Sequence, residues 1–246
     1  AEYFVNAAKG NDENAGTEAM PWASVRNLNE KKFKGGDVIK FHRGQNFFGQ
    51  INMRSSGKEG APIVISSYGE GKKPTINGQG KVQTTVLMRN ISHIILENLC
   101  ITNKGAAPKA KRYGIELQAM NAGIVKRITL RGLTVRDVNG VFSKEEGGGA
   151  GIYYWAQSNR IPSKFDNLLI ENCYLSNCDR DGIKGGLRPW MDLTNLSTNV
   201  VIRNNMIEDV GGDAIVLIGT KGGLVEGNRV YGARRRFNTA DHDTIM

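Results

Sequence analysis

The amino-acid sequence predicts an all-β chain wound as a right-handed, single-stranded parallel β-helix, with a short helix capping its N-terminal end. Three observations predict it: an eight-residue segment that recurs five times, apolar columns that persist when those segments are aligned, and glycine and asparagine at the bends between strands. The 246 residues are read as one domain, with a cap and irregular first coils over about 1–90 and regular coils over about 91–246.

The recurring segments are IILENLCI from Ile94, ITLRGLTV from Ile128, LLIENCYL from Leu168, VVIRNNMI from Val200 and GLVEGNRV from Gly223. Their equivalent positions Glu97, Arg131, Glu171, Arg203 and Glu226 are 34, 40, 32 and 23 residues apart. Such uneven spacing does not suit propeller blades or leucine-rich repeats. It suits a solenoid whose coils carry loops of different length on one side, and loops are where such folds hold function.

Within the alignment, Leu96, Leu130, Ile170, Ile202 and Val225 form one apolar column, and Ile101, Val135, Leu175, Ile207 and Val230 another. Strand periodicity turns both inward as core. Between them the Glu-Arg-Glu-Arg-Glu column alternates in sign on the outer face, where stacked strands are about 4.8 Å apart, so neighbouring charges attract and set register. The next column, Asn98, Gly132, Asn172, Asn204 and Gly227, holds the residue types that accept positive φ most readily, and the chain must bend there.

A second strand follows in each coil: Tyr113-Gly-Ile115, Ala150-Gly-Ile152, Asp181-Gly-Ile183, Asp213-Ala-Ile215 and Asp243-Thr-Ile245, with the isoleucines inward. Upstream, GDVIKFHRG, FGQINM, PIVISSYG and PTINGQG read as irregular first coils. Trp22, Val25 and Leu28 lie at helical spacing in PWASVRNLNEKK, which suits a helix that plugs the open end. At the other end the chain stops one residue past an inward isoleucine with no cap in view, so the natural protein is expected to continue or to be covered there.

Composition narrows the class. Glycine stands at 31 of 246, against a usual share of about 7%, and proline at only 6, which fits many tight turns rather than collagen or disorder. The net charge of +9 would concentrate an anionic partner, without choosing among nucleic acid, lipid and acidic polysaccharide. Cys100, Cys173 and Cys178 are too few and too odd in number for a disulfide framework and read as buried free thiols. No run approaches the roughly 18 apolar residues of a membrane span. P-loop, nucleophile-elbow, HExxH and EF-hand patterns are missing, and His42, His93 and His242 are too scattered for a zinc site.

The position two before each isoleucine of the second strand holds Tyr113, Ala150, Asp181, Asp213 and Asp243, so three successive coils place an aspartate at one spot. Adjacent carboxylates roughly 5 Å apart repel, so either one is protonated, as a general acid requires, or a cation sits among them. If that cation is a metal such as Ca2+, Asp179, Asp181 and Asp213 would hold it. The competing reading is that each Asp caps its own turn. Tyr153 and Trp155 flank the inward Tyr154 and would face outward as stacking surfaces, or pack under a loop. Lys184 lies on the outer face, His242 stands beside the aspartates, and Arg180, Arg188, Arg234, Arg235 and Arg236 come from loops on the same side, where they either hold carboxylates or sulfates of a substrate or form a solvated basic rim.

These residues resemble the pectate-lyase-like superfamily, in particular the secreted right-handed parallel β-helix proteins of Bacteroidetes. The likeness lies in YFVNAAKGNDENAGT, PWASV, GDVIKFHRG, FGQI and PIVISSYGEGKKPTING and covers nearly the whole chain. DRDGIKG at Asp179 and GGDAIVLIG at Gly211 look like the paired aspartate motifs of polygalacturonase-type inverting hydrolases, although Gly-Asp stands where a doubled aspartate is expected and the Gly-His-Gly and Arg-x-Lys motifs are missing. The resemblance implies a protein that is secreted, periplasmic or on the cell surface, its signal peptide removed before Ala1. It also implies a polysaccharide or oligosaccharide partner, acidic ones included, rather than nucleic acid.

Three functions remain open on the sequence. The first is a glycoside hydrolase in which two of Asp181, Asp213 and Asp243 flank the scissile bond. The second is a cation-dependent lyase acting on a uronate, with Lys184 or an arginine as base. The third is a glycan-binding solenoid whose aspartates only cap turns.

Overall fold

The computed structural model describes residues 1–189 and 192–233. Its strands pair in parallel into three sheets that run the length of a right-handed β-helix, each coil between the two ends giving one strand to each sheet. The first sheet stacks Glu2–Val5, Val38–His42, Ile63–Tyr68, Ile94–Glu97, Gly123–Arg131, Ser163–Glu171 and Ser197–Arg203, with Thr220–Lys221 and Leu224–Glu226 beside the last. The second stacks Asn46–Phe48, Thr75–Asn77, Cys100–Asn103, Thr134–Val138, Tyr174–Cys178, Met206–Val210 and Arg229–Ala233. The third stacks Ile51–Met53, Thr84–Arg89, Arg112–Met120, Gly149–Gln157, Asp181–Arg188 and Ile215–Val216.

Each recurring segment therefore supplies two strands, one on either side of its bend. Asn98, Gly132, Asn172, Asn204 and Gly227 all have φ between 52° and 64°, the left-handed region that Gly and Asn reach at least cost. Register follows the sequence columns: Leu96, Leu130, Ile170, Ile202 and Val225 pair across the first sheet, and Ile101, Val135, Leu175, Ile207 and Val230 across the second. Ile115, Ile152, Ile183 and Ile215 pair across the third. The first four members of each of the first two columns are fully buried, while Val225 in the last described coil is 43% exposed.

The charged column pairs in twos. Arg131 Nε lies 2.6 Å from Glu97 Oε2 and Arg203 Nη2 lies 2.8 Å from Glu171 Oε2. Both arginines are well exposed, so each pair contributes less than about 1 kcal/mol and acts mainly on register.

Two expectations need correction. The upstream coils are not irregular, since their strands join the same three sheets in register. Their strands are as short as three residues, and a period of two cannot be recognised over so few positions. The helix spans only Arg26–Glu30, and its N-cap Val25 makes no side-chain capping bond. Trp22 lies outside it, bridged to Val5 and stacked on Tyr3 with ring centroids 4.9 Å apart. Trp22, Val25 and Leu28 are nonetheless all buried in the main core. The three cysteines are free and buried, and no helix among the described residues is long and apolar enough to cross a membrane.

Candidate active site

The third sheet is built to present side chains on its outer face. Tyr113, Ala150 and Asp181 are paired in register, each followed by a glycine and then by a core isoleucine. The glycines let the strand turn between them. A Cβ at Gly182 would lie 2.5 Å from the Ala214 carbonyl oxygen and one at Gly151 3.1 Å from that of Gly182, so a side chain there would push the coils apart. The residue before each glycine is thereby freed to face away from the core. Tyr113 and Ala150 do so, forming with Tyr153 and Trp155 a second apolar cluster separate from the main one.

Asp213 continues this file: Gly182 N–H donates to the Asp213 carbonyl at 2.9 Å, and Asp213 N–H donates to Asp181 Oδ1 at 3.2 Å. The two aspartates thus lie on adjacent coils, and the cation among them is a side chain of the chain itself. The Arg180 guanidinium places Nε 3.1 Å from Asp181 Oδ1 and Nη2 4.0 Å from Asp213 Oδ2. Nη1 donates to the Phe142 carbonyl at 3.1 Å, and the guanidinium lies 5.3 Å from the Phe142 ring centroid. Lys184 Nζ donates to Asp181 Oδ2 at 2.9 Å. Asp181 is 0% exposed, Arg180 1% and Asp213 5%. Two carboxylates and a guanidinium in so dry a place, with the Lys184 ammonium at its rim, are held only because each has partners at hydrogen-bonding or ion-pair distance.

Arg180 therefore corrects the sequence reading, which placed it on a loop facing substrate; it is sandwiched between the carboxylates instead. The same geometry bears on Ca2+. With a buried guanidinium between Asp181 and Asp213, these residues do not form the all-oxygen cage that a hard cation takes. Asp179 lies elsewhere, lining a polar cavity of about 160 Å3 with Lys104, Asp137, Asn139 and Asn177. No group of three or more His, Cys, Asp or Glu among the described residues could hold a metal ion. Asp243, His242, Arg234, Arg235 and Arg236 lie outside the described residues.

Tyr153 and Trp155 face away from the core, but both are buried rather than open as stacking surfaces. Tyr153 packs on Tyr113 at 5.0 Å and lies near-parallel to Trp155 at 6.4 Å, and the guanidinium of the exposed Arg188 covers the Trp155 ring at 4.6 Å. Burial pushes the Tyr113 and Tyr153 phenols above their ordinary range.

Beside them is a carboxylate that the sequence reading did not single out. Glu116 pairs in register with Tyr153, and Tyr153 with Lys184. Its Oε1 accepts from Gln118 Nε2 at 2.8 Å and from Trp155 Nε1 at 2.9 Å, and its Oε2 from Thr84 Oγ1 at 2.7 Å. The available signal was its place on the outer face of the same strand that carries Tyr113. The outer face of the third sheet therefore holds Glu116, Asp181 and Asp213 with Lys184, Arg180, Arg188 and three aromatic rings, an arrangement suited to binding hydroxyl-rich, partly apolar rings and to moving protons.

No protein-family model matches the chain. A lacto-N-biosidase of Bifidobacterium longum subsp. longum is 27% identical over an alignment spanning 98% of this chain and 20% of that protein. Native GH136 lacto-N-biosidase from Eubacterium ramulus superposes with a TM-score of 0.85 at 27% identity, covering 93% of this chain and 45% of that one. Its selenomethionine derivative gives 0.78 at 28% identity over 87% and 42%. The chain thus spans about a fifth of the curated relative and under half of the solved one. These relatives come from Bifidobacterium and Eubacterium, so the likeness does not support an origin in Bacteroidetes.

Proposed function

We propose that this chain is the glycan-cleaving β-helix of a glycoside hydrolase of the lacto-N-biosidase kind, acting on an oligosaccharide held along the outer face of the third sheet. The observation that carries the reading is likeness along nearly the whole chain, in sequence and in fold, to two enzymes of that name. The outer-face layer of carboxylates, cations and aromatic rings is where the chemistry is placed.

Hydrolysis needs one carboxyl group to protonate the departing oxygen and another to act as base or nucleophile on the opposite side of the sugar. Asp181 suits neither role: its oxygens already take Arg180, Lys184 and the Asp213 N–H. Its place in this reading is to hold Lys184 and Arg180, while Asp213 and Asp243 supply the reacting pair. Lys184, Arg188, Arg234, Arg235 and His242 contact the substrate, and Trp155, backed by Tyr153, stacks on it where Arg188 now covers the ring. A lyase base is disfavoured because Lys184 donates to Asp181, the arrangement of a donor rather than of a proton acceptor. The protein is placed outside the cell or on its surface, where such glycans occur.

The test incubates the chain with oligosaccharides ending in lacto-N-biose and with acidic polysaccharides. It reads released disaccharide, new reducing ends and ultraviolet absorbance. Disaccharide release, lowered at least about 100-fold in Asp213→Asn, supports the reading, and the anomer first formed reports a retaining or inverting pair. An absorbing unsaturated product, or no cleavage of any glycan, overturns it.

A further inference from the structure

Glu116 is 4% exposed, and among the described residues no cation lies within ion-pair distance of it. A buried carboxylate without a counter-charge is costly unless strong donors surround it, and here three neutral donors do so. The donors are not scattered. Gln118 accepts in turn from Arg89 Nε at 2.6 Å, so Arg89, Gln118, Glu116 and Trp155 form one hydrogen-bonded line across three adjacent coils. The core needs none of these groups, since all of them lie on the outer side of the sheet, beside the second apolar cluster. What the line does determine is the plane of the Trp155 indole: its N–H is pinned along the sheet, and one face of the ring is turned to the guanidinium of the exposed Arg188. A flat ring, edge-anchored and covered on its outer face by a cation on an exposed chain, has the form of a stacking platform whose cover can be replaced.

We infer that Glu116 is the positioning residue of the glycan site, holding Trp155 in the plane on which a sugar ring stacks in place of the Arg188 guanidinium. The inference rests on the reading that this face binds a glycan and adds to it the residue that sets the platform. Glu116 touches no reacting atom in this scheme, so its loss weakens substrate binding and leaves the chemical step nearly as it was.

Glu116→Leu, Glu116→Gln and Leu130→Ala are compared with the unaltered chain in steady-state kinetics on the cleaved oligosaccharide, with thermal unfolding followed in parallel. Leu130 is a buried core residue on the first sheet, so Leu130→Ala reports what lost stability alone does to the kinetics. In Glu116→Leu, KM is expected to rise about tenfold or more with kcat within about threefold. Glu116→Gln keeps an oxygen for both N–H donors, and Thr84 can turn to accept, so its KM should stay within about threefold of the unaltered chain. Leu130→Ala should unfold at lower temperature with KM unchanged. If Glu116→Leu keeps its KM, or loses kcat instead, or if Glu116→Gln is as impaired as Glu116→Leu, the positioning role is wrong while the hydrolase reading stands. If the unaltered chain cleaves no glycan, the reading itself falls and takes this inference with it.

Discussion

Arg180→Met tests whether the buried charges beside the third sheet hold one another in place. The side chain is 1% exposed and its guanidinium meets Asp181 at 3.1 Å and, more distantly, Asp213 at 4.0 Å. Methionine keeps much of the volume but removes the positive charge, leaving two carboxylates that are 0% and 5% exposed. Breaking a buried pair by removing one partner typically costs about 3–5 kcal/mol, because an uncompensated charge stays behind. Lys184 remains on Asp181 but is 24% exposed at its side chain, and it reaches only Oδ2, so it compensates in part. Lys184→Met should therefore cost less, about 1–2 kcal/mol, since water can replace the ammonium at the rim. Urea unfolding is the suitable assay because urea, unlike guanidinium, does not screen ion pairs. With an m-value near 3 kcal/mol/M, the midpoint of Arg180→Met should fall by roughly 1–2 M. Adding Asp181→Asn to Arg180→Met removes one of the stranded charges and should recover part of the loss, a non-additivity that a double-mutant cycle reads directly. An Arg180→Met midpoint within about 0.2 M of the unaltered chain, or a double variant weaker than the sum of its singles, would refute the reasoning.

Three further outcomes follow from local physics. Asn172 sits at φ 52°, so Asn172→Ala should cost about 1–2 kcal/mol while Asn172→Gly stays near neutral, as read by unfolding midpoints; equal losses would mean that the amide rather than the backbone matters. Burial pushes the Cys173 and Cys178 thiols up to about 12, so both should resist a thiol reagent at pH 8 in the folded chain and react on unfolding. Hydrogen bonds from Asn199 and Thr198 hold the Asp166 carboxyl below its ordinary 3.8. A depressed folded value stabilises fully above the unfolded pKa and is lost as pH falls through the folded one. The stability gap between the unaltered chain and Asp166→Asn should accordingly be constant at neutral pH and close below pH 3.8; a gap that widens in acid would contradict it.

How much was legible in the sequence divides along one physical line. In a solenoid each strand's neighbours are its own counterparts one coil away, so a column such as Leu96, Leu130, Ile170 and Ile202, or Asn98, Asn172 and Asn204, already states its tertiary environment. The core, the bends, the charge ladder and the stacking of Asp181 on Asp213 could therefore be read from aligned residues alone. Which outer-face residues meet solvent could not. Arg180, Tyr153, Trp155 and Glu116 occupy positions that alternate outward like any exposed residue, and each is buried. Their burial depends on side chains brought in from different coils: Phe142 against Arg180, Arg188 over Trp155, and Thr84 and Trp155 on Glu116. Strand periodicity tells only which side of a sheet a residue takes; what lies over that side depends on how loops of unequal length fold back across it. That is why the helix was determined by the sequence and its candidate active site only by the tertiary structure.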